Sequence, residues 1–545
     1  MRLASVVVCC LLIALSAIAQ SDRGTITGTV SDPGGAVVAN APIQVKNVAT
    51  GLAYDAATSS TGNYTVPALP VGSYEVTVAV PGFKRYTRSG LTIQVAQTLR
   101  IDVTLEVGSA AESVTVSAEA SLLKTESGEL SHNVNVRQLD ELPILGIGAA
   151  AGTSGIRNPN SVALVIPGTY WAANADLRVN GAPANTQSYR IEGQEAMNTG
   201  TPGTPAQNQP SIDSIQEIAV QTSNYSAEFG QLGGGVFNIT MRSGTNQYHG
   251  SGYEYLANEM MNAASPYTDD GHGNKTRTKT RRFDHGFTFG GPVWIPKIYN
   301  GHDKTFFFIN WEEFRETLIV RDGIQTVPTL AYRTGDFSAA ILKNARVIGT
   351  DPLGNQMLEG MIYDPTTTRT VNGQQVRTQF PGNKIPSSSF DPVAVKIQNL
   401  FPAPIGVNAT SLVGNYISPY PSHRITRIPS IKIDQSIGKG KLSFFWQRTH
   451  SENPDGNPTL GMSDGLPDLL STALGTFSTA PLYRLNFDYT LSPTLLLHLG
   501  AGYRATYFAT PAVTPSGKTV YSDVKYNAST ELGLKGGLVN RFFPS

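Results

Sequence analysis

Two neighbouring runs near the carboxyl end constrain the fold of this chain more than any other feature. From Tyr483 to Leu491, and again from Leu495 to Tyr507, apolar side chains alternate with polar ones, and Ser492-Pro493-Thr494 supplies a tight turn between the runs. Alternation with a period of two gives a strand one apolar and one polar face. Segments of this length, apolar outside and polar inside, are typical of a transmembrane β-barrel hairpin. A further soluble β-sandwich is the alternative.

Aromatic residues favour the membrane interpretation. Phe283, His285, Phe287 and Phe289 share one face of an earlier run, and the run from Phe306 to Trp311 is more aromatic still. A soluble sandwich does not ordinarily need so many aromatics on one face at strand ends. After the first 20 residues no segment has 18 uncharged apolar residues in a row, so any membrane crossing would be made by β-strands.

The amino terminus, residues 1–19, is predicted to be a secretory signal peptide. Arg2 precedes an apolar run from Val6 to Leu15, and Ala17-Ile18-Ala19 is a small-x-small cleavage site. The apolar run is shorter than the roughly 20 residues that span a bilayer, which argues against a membrane anchor. Both cysteines of the chain lie in this segment. The mature chain would therefore be exported and would have neither a disulfide nor thiolate chemistry.

The overall charge argues against one class of partner. The 41 Lys and Arg residues balance the 41 Asp and Glu residues, so nucleic-acid binding lacks its usual electrostatic support. Charged residues form 15% of the chain, below the usual level of about 25%. Gly (54) and Pro (34) are abundant. The composition indicates a turn-rich chain that binds no nucleic acid.

Residues 22–107 are predicted to form a β-sandwich of about seven strands. Regular alternation runs from Tyr74 to Val80 and from Leu99 to Val107, and turns such as Asp32-Pro33-Gly34-Gly35 separate such runs. Half-buried strands need a second sheet to cover their apolar faces. The phrases Gly28 to Asp32, Gly62-Asn63-Tyr64, Leu69 to Tyr74 and Gly82-Phe83 resemble the carboxypeptidase-regulatory-like domain, which is also grouped with carbohydrate-binding-like sandwiches. The resemblance implies a fold more firmly than a ligand.

The stretch from Ser223 to Tyr255 resembles the junction between plug and barrel in TonB-dependent outer-membrane receptors of the Oar-like group. It contains Gly233-Gly234-Gly235, a brief strand at Asn238 to Met241 and a turn at Ser243 to Asn246. The resemblance implies a mainly β chain with three parts. These are a β-sandwich domain, an α+β plug domain with its TonB-box region at 112–243, and an antiparallel transmembrane β-barrel at 248–545.

A short extended run follows the sandwich where the receptor family carries its TonB box. In that family this strand pairs through its backbone with the energising protein, which is β-augmentation. The resemblance implies a TonB box whose candidate residues are Glu112, Ser113, Val114, Thr115 and Val116. An ordinary linker or a first plug strand is the alternative for any run of this β-prone kind.

The plug segment is expected to combine one short helix with strands. Val136 to Pro143 is predicted to be the helix and its turn, Leu177 to Gly181 and Tyr189 to Gly193 are predicted to be paired strands, and Ile215 to Gln221 is predicted to be another strand. The polar region from Asn174 to Gln209 suits loops at an extracellular mouth, although loops are polar whatever their role. The candidates for substrate contact there are Arg178, Asn180, Tyr189, Arg190, Glu192 and Glu195.

The barrel is expected to be incomplete. Regular alternation lapses from Gln325 to His423, which suits a long extracellular loop. Only about eight to ten credible strands follow Tyr248, fewer than the 22 of plugged transporters. An open sheet edge does not face lipid, so the sequence is expected to be a truncated or partial chain.

Two segments match the sequence patterns of enzyme motifs but lack the structural context that those motifs need. Gly461-Met462-Ser463-Asp464-Gly465 matches G-x-S-x-G but lacks the strand before it, and Gly146 to Ala151 matches a dinucleotide fingerprint without a βαβ unit. The eight His residues form no zinc motif. No catalytic residue, metal site or cofactor is predicted.

The resemblance implies a TonB-dependent receptor or transporter of the bacterial outer membrane. Its partners would be a TonB-type energising protein, outer-membrane lipid and an unidentified extracellular substrate such as a carbohydrate or a metal chelate. Siderophores, cobalamin and peptides are also candidate cargo. The alternative function is adhesion or carbohydrate binding by the sandwich, with the barrel as an anchor.

Overall fold

The computed structural model describes residues 23–109, 112–117, 126–141, 159–171, 177–184, 186–197, 208–225, 229–230, 233–263, 277, 279–320, 324–406, 408–417, 419–455, 465–467, 469–471, 473–492, 495–511, 513 and 527–534. The predicted signal peptide, the Gly146 to Ala151 motif and all but the last residue of the Gly461 to Gly465 motif lie outside the described residues. In the described part of the chain, no helix combines the length and the apolarity that a bilayer-spanning helix needs.

The first domain is a sandwich of two sheets. One sheet has the order β4-β1-β7 with β8 also beside β1, and the other has the order β3-β2-β5-β6-β9. The alternating apolar residues face each other between the sheets and form one core, as the sequence predicted. The strands are β1 Gly24–Ser31, β2 Pro42–Asn47, β3 Ala53–Ala57, β4 Asn63–Leu69, β5 Gly72–Val78, β6 Arg85–Ile93, β7 Thr98–Arg100, β8 Val103–Thr104 and β9 Ser113–Ser117.

Gly28 lies against the backbone of Ile101 with no room for a side chain. A Cβ atom at this position would overlap the backbone carbonyl of Ile101. The buried Tyr64 hydroxyl donates to the oxygen of the same carbonyl at 2.8 Å. Tyr64 of β4 therefore reaches across Gly28 of β1 to the peptide group between β7 and β8, and all these strands belong to one sheet.

Replacing Gly28 with Ala is expected to lower the free energy of unfolding of the sandwich by about 1–3 kcal/mol, because the added methyl forces the backbone apart. Urea denaturation of the full chain, followed by tyrosine fluorescence, measures this. Lys46→Ala is the control, because Lys46 is exposed on the outer face of β2. Equal midpoints for the two variants would show that the contact between Gly28, Tyr64 and Ile101 tolerates a side chain.

The second domain is a small α+β unit. Its sheet has the order β10-β15-β16-β13-β14, and β11 and β12 form a separate hairpin. Two short 3-10 helices, Pro159–Leu164 and Ile212–Ser214, complete it. The elements are β10 Leu130–Asn135, α1 Val136–Glu141, β11 Thr169–Trp171, β12 Leu177–Val179, β13 Ser188–Ile191, β14 Gln194–Glu195, β15 Ile215–Ser223 and β16 Val236–Met241.

The helix at 136–141 and the strand at 215–223 are confirmed, but one predicted pairing is wrong. β12 does not pair with β13; it pairs with β11, opposite Thr169 to Trp171. β13 lies parallel to β16, with Tyr189 opposite Phe237. The two short strands had similar lengths and spacing in the sequence, and that similarity says nothing about which neighbours they choose.

The third domain is one antiparallel sheet with the order β17-β18-β21-β26-β28-β29-β30, in which β27 and β31 take additional places. β26 and β27 both pair with β21, and β30 and β31 both pair with β29, so each pair is one interrupted strand. The main strands are β17 His249–Ala257, β18 Thr280–Pro292, β21 Thr305–Val320, β26 Tyr420–Arg427, β27 Ser430–Ile437, β28 Gly440–Asn453, β29 Thr476–Ser492, β30 Leu495–Arg504 and β31 Tyr507–Ala509.

The sheet has nine strands among the described residues, which is within the expected eight to ten. The nine strands of the sheet include two interrupted ones, which leaves seven crossings among the described residues. Ile428 and Pro429 separate β26 from β27, and a proline at 429 cannot donate to the ladder. The alternation continues across this break, so β26 and β27 form a single crossing of the wall.

Burial in this sheet is reversed relative to a soluble protein. The outer face exposes large apolar side chains, including Phe287, Phe289, Tyr483, Leu485, Leu497, Leu499 and Tyr503. The inner face buries polar ones, including Asn310, Glu312, Lys432, Asp434, Gln447, Arg484 and Asn486. The predicted alternation is confirmed along most of 483–507, with Tyr483, Leu485, Leu497, Leu499 and Tyr503 exposed and Arg484, Asn486 and Asp488 buried, whereas Gly502 on the predicted polar face is exposed. A lipid-facing exterior and a polar interior are the features of a membrane barrel wall.

Long and short connections segregate to opposite ends of the wall. At one end a two-residue turn, Gly438-Lys439, joins β27 to β28. At the other end about a hundred residues between β21 and β26 contain α2 Leu330–Arg333, β22 Val347–Thr350, β23 Gln356–Leu358, β24 Arg369–Val371, β25 Gln374–Val376 and α3 Pro392–Gln398. Near this long loop lies α4 Ala528–Leu532, since Lys396 Nζ donates to the carbonyl of Glu531. Barrels of the outer membrane have short periplasmic turns and long extracellular loops.

The sandwich lies at the short-turn end. Asn246 Nδ2, just before β17, donates to the carbonyl of Thr50 at 2.9 Å. Arg23 Nη2 lies 3.9 Å from Oδ2 of Asp488, which is near the end of β29 that leads into the turn to β30. A cleft of about 220 Å³ separates the sandwich around Tyr54 from the turn at Lys439. The sandwich, which comes first in the chain, therefore lies at the periplasmic end, below the plug and the wall.

Candidate functional site between plug and wall

A buried ion pair joins the second domain to the wall. Lys432 Nζ lies 2.7 Å from Glu192 Oε1, and the two side chains are 4% and 1% exposed. Lys432 Nζ also donates to the carbonyl of Met241 at 2.9 Å, while the Met241 backbone N–H donates to Glu192 Oε1 at 2.6 Å. The peptide group of Met241 thus bonds to both charged side chains, and these hydrogen bonds help to offset the cost of burying the two charges.

Glu312 of β21 forms a second connection. Its Oε2 atom accepts from Ser211 Oγ at 2.6 Å and from Tyr253 OH at 2.7 Å. Ser211 belongs to the plug and Tyr253 belongs to β17. One carboxylate therefore ties the plug to two strands of the wall.

Gln447 of β28 makes a third connection. Its Nε2 atom lies 3.2 Å from the carbonyl oxygens of Asn208 and Gln209, and Thr449 Oγ1 donates to the carbonyl of Gln209 at 3.2 Å. Polar side chains of the wall thus take the place of water for an irregular plug segment, whose backbone groups would otherwise be unsatisfied.

Apolar packing adds to these contacts. Phe445 of β28 and Leu482 of β29 point inward and belong to the same hydrophobic cluster as Tyr189, Ile218 and Phe237 of the plug sheet. Their neighbours on the inner face of the wall are mostly polar, so these two positions are where the wall extends the plug core.

Together these contacts define one seated position of the plug. A charged pair is costly to bury unless its geometry is good and its remaining hydrogen bonds are made. Displacing the plug would separate Glu192 from Lys432 and Ser211 from Glu312 in a poorly hydrated space. These contacts therefore hold the plug in the position that the structure shows.

The six predicted substrate contacts fall into two groups. Arg178 is exposed on β12, and Asn180, with φ of 49°, follows it in a turn. Asn180 Nδ2 donates to the carbonyl of Thr222 at 2.8 Å. Asn180 and Thr222 line an open hollow of about 490 Å³ together with Gly181, Ala182, Ser223, Asn224, Tyr225, Gly233 and Gly234.

The other four lie around β13 and β14. Tyr189, Arg190 and Glu192 are buried and do not lie on an exposed surface of the plug. Burial raises the pKa of the Tyr189 hydroxyl, which therefore stays protonated. The guanidinium of Arg190 lies over the ring of Phe229, and its Nε atom is 3.8 Å from Glu195 Oε2. The Glu195 side chain is partly exposed. Contact with substrate stays a prediction for all six residues.

The TonB-box candidate is a strand of the sandwich sheet. β9 pairs in parallel with β6, with Val114 opposite Tyr86 and Val116 opposite Arg88. Glu112, Ser113 and Thr115 are exposed, and Val114 and Val116 are partly buried. Within the described residues β9 is the last strand of its sheet. An edge strand is a template on which another chain can pair.

Lys432, Glu312 and Gln447 were missed by the sequence argument. Their only local signal is that each occupies an inward position of a wall strand, where a polar residue is expected in any barrel. In the described part of the chain no group of three or more His, Cys, Asp or Glu side chains is placed to hold a metal ion.

A sandwich at the short-turn end, a plug sheet held by buried polar contacts and a wall with an apolar exterior define a plugged barrel of the bacterial outer membrane. The chain belongs to the outer membrane beta barrel domain family, which residues 240–540 match. Residues 25–106 match the carboxypeptidase regulatory-like domain. The predicted location in the outer membrane and the predicted fold class are confirmed, and so is the resemblance to TonB-dependent outer-membrane receptors.

Similarity to individual proteins is distant. The chain is 28% identical over 294 residues to the TonB-dependent transporter Oar of Myxococcus xanthus, a match that covers 53% of this chain and 27% of that protein. The match thus spans about a quarter of the length of this curated relative. The outer membrane transporter YddB of Escherichia coli aligns at 10% identity with a TM-score of 0.40, covering 70% of this chain and 39% of that one. The siderophore receptor PirA of Acinetobacter baumannii aligns at 13% identity with a TM-score of 0.30, covering 75% and 51%.

Proposed function

We propose that the protein is a TonB-dependent receptor that takes up an extracellular substrate through its barrel. The observation that carries the proposal is the plug seated in the wall by the Glu192–Lys432 pair, with an edge strand, β9, on the periplasmic side of it. The similarity to a transporter described as TonB-dependent supports the same function. A TonB-type protein would pair with β9, and outer-membrane lipid would surround the wall.

The plug sheet suggests which strand moves first. Force applied at β9 reaches β10 through residues 118–129, and β10 is an edge strand that pairs only with β15 within the described residues. The wall contacts at Glu192 and Met241 lie on the other side of that sheet, at the ends of β13 and β16. Pulling would peel β10 from β15 while the ion pair still holds the remaining strands in the wall.

Substrate would meet the plug before this movement. Arg178 and Asn180 offer a cation and an amide at one place on the plug, and Glu195 offers a carboxylate at another; each suits a polar substrate such as a carbohydrate or a metal chelate. A ligand drives opening only if it binds one plug position more tightly than the other. We assign no catalytic step to the chain.

Expression of the full chain in a Gram-negative host tests the proposal. We expect the protein in the outer-membrane fraction after a urea wash, because an apolar wall is not extracted by urea. We also expect the purified chain to bind the carboxyl-terminal domain of the host's TonB-type protein, and to lose that binding when residues 112–116 are deleted. A soluble periplasmic product would contradict the barrel. Glycan binding that persists after the deletion, without any binding of the TonB-type domain, would favour adhesion.

A further inference from the structure

The connection between β18 and β21 carries an unusual apolar tip. It forms a small hairpin of β19 Trp294–Ile295 and β20 Tyr299–Asn300, which we call the rim hairpin. Trp294 is 54% exposed and Ile298 is 81% exposed, and Ile295 between them is also exposed. These large side chains lie at the short-turn end of the wall, where a soluble connection would be polar.

The rim hairpin folds against the outer face of the wall. Thr305 and Gln435 are cross-strand partners, in register with the outward-facing pair Phe307 and Ile433. Thr305 Oγ1 donates to Gln435 Oε1 at 2.6 Å, and the Tyr299 hydroxyl is hydrogen-bonded to Thr305 Oγ1. The tip of the hairpin is therefore held on the lipid side of the strands and not inside the lumen.

An aromatic row continues the lipid-facing surface down to this hairpin. Tyr248 stacks on Phe289 with ring centroids 5.9 Å apart, and Phe289 meets Phe307 at 5.6 Å. Lys297 and Lys304 flank the apolar tip and are both exposed. Apolar and aromatic side chains beside lysines match the boundary between acyl chains and phosphate headgroups.

We propose that the rim hairpin is a lipid anchor in the inner leaflet of the outer membrane. Trp294, Ile295 and Ile298 enter the acyl boundary, and Lys297 and Lys304 bind the phosphates of phospholipid headgroups. The partner is a phospholipid because the hairpin continues the lipid-facing wall and carries the charge complementary to phosphate. The hairpin thereby fixes the depth at which β18 and β21 lie in the membrane. β21 carries Glu312, the residue that ties the plug to the wall.

Site-specific fluorescence in vesicles tests this anchor. The full chain, with Cys9 and Cys10 replaced by Ala, carries one labelled cysteine at Ile298→Cys and is placed in vesicles of phosphatidylethanolamine and phosphatidylglycerol. Lipids bearing a spin label in the headgroup, near the carbonyl or deep in the chain report the depth of the fluorophore. We expect quenching mainly by the two shallow labels.

Labels at two other sites serve as controls for membrane depth. A label at Phe287→Cys, on the outer face of β18, should be quenched by the deep spin label, and a label at Leu353→Cys, in the long loop, should be quenched by none. An Ile298 label that no lipid quenches, while the Phe287 label is quenched, would show the hairpin in water or covered by protein and would overturn the proposal. Failure of the Phe287 label to be quenched would overturn it as well, since the wall would lie outside the bilayer.

The lysines are tested separately. The double change Lys297→Gln and Lys304→Gln should reduce quenching of the Ile298 label by at least about twofold in vesicles rich in phosphatidylglycerol, because attraction to anionic headgroups is lost. Lys343→Gln, in the long loop, should leave it unchanged. Equal quenching in both variants would remove the phosphate contact from the proposal.

Discussion

Replacing Lys432 with Met should lower the free energy of unfolding by about 3–5 kcal/mol, because removal of one partner leaves the buried Glu192 carboxylate without its counter-charge. Methionine keeps most of the volume of lysine, so the loss reports charge and hydrogen bonding and not a cavity. The Met241 carbonyl would also lose its donor from Lys432 Nζ. Urea unfolding in detergent micelles, followed by tryptophan fluorescence, measures the change.

Two further variants make this result specific. Lys439→Met lies in the exposed turn between β27 and β28 and should leave stability unchanged. The double variant Glu192→Gln with Lys432→Met should recover most of the loss, since no uncompensated charge remains buried. Equal unfolding midpoints for Lys432→Met and Lys439→Met would show that the ion pair contributes nothing to holding the plug.

The faces of the wall strands were predictable because they are local. Period two decides which side chains of a strand share a face, whatever the strand pairs with. Tyr483 and Leu485 were therefore assigned outward, and Arg484 and Asn486 inward, without knowledge of the neighbouring strands. The aromatic side chains on the apolar faces of the strands favoured a membrane wall, and in such a wall the apolar face points outward and the polar face points inward.

Long-range partners were not predictable in this way. Glu192 and Lys432 are separated by 240 positions in the sequence, and no local pattern links them. Glu192 stood out only as a polar residue in a polar segment, and it became a candidate for substrate contact because such a segment suits loops at an extracellular mouth. Its burial depends on where the plug sits inside the wall, which is a tertiary property.

The partner of β9 was missed for the same reason. The sequence indicated a β-prone run at 112–118, and such a run does not specify whether it pairs with the sandwich, with the plug or with another protein. The structure pairs it with β6 of the sandwich. The TonB-box interpretation then depends on which backbone groups that pairing leaves available.

Thr115→Pro is expected to weaken binding of the TonB-type carboxyl-terminal domain by about tenfold or more, because proline removes an outward donor and its ring obstructs an incoming strand. The backbone N–H of Arg85 donates to the carbonyl of Glu112, and Arg85 lies opposite Ser113. In a parallel ladder, alternate residues of a strand bond to the same neighbour. Val114 and Val116 therefore face β6 with their backbone groups, whereas Ser113 and Thr115 present theirs at the outer edge.

The position of the proline makes the test discriminating. Proline is tolerated on an edge strand where its nitrogen faces away from the ladder, so Thr115→Pro should keep the β6–β9 pairing and the unfolding midpoint of the sandwich. Thr115→Ala removes the same exposed side chain, keeps the backbone donor and should bind normally. Titration of the full-length variants with the TonB-type domain by calorimetry measures the affinities. Undiminished binding by Thr115→Pro would show that the partner does not add to the outer edge of β9, and the TonB box would then have to lie elsewhere in the chain.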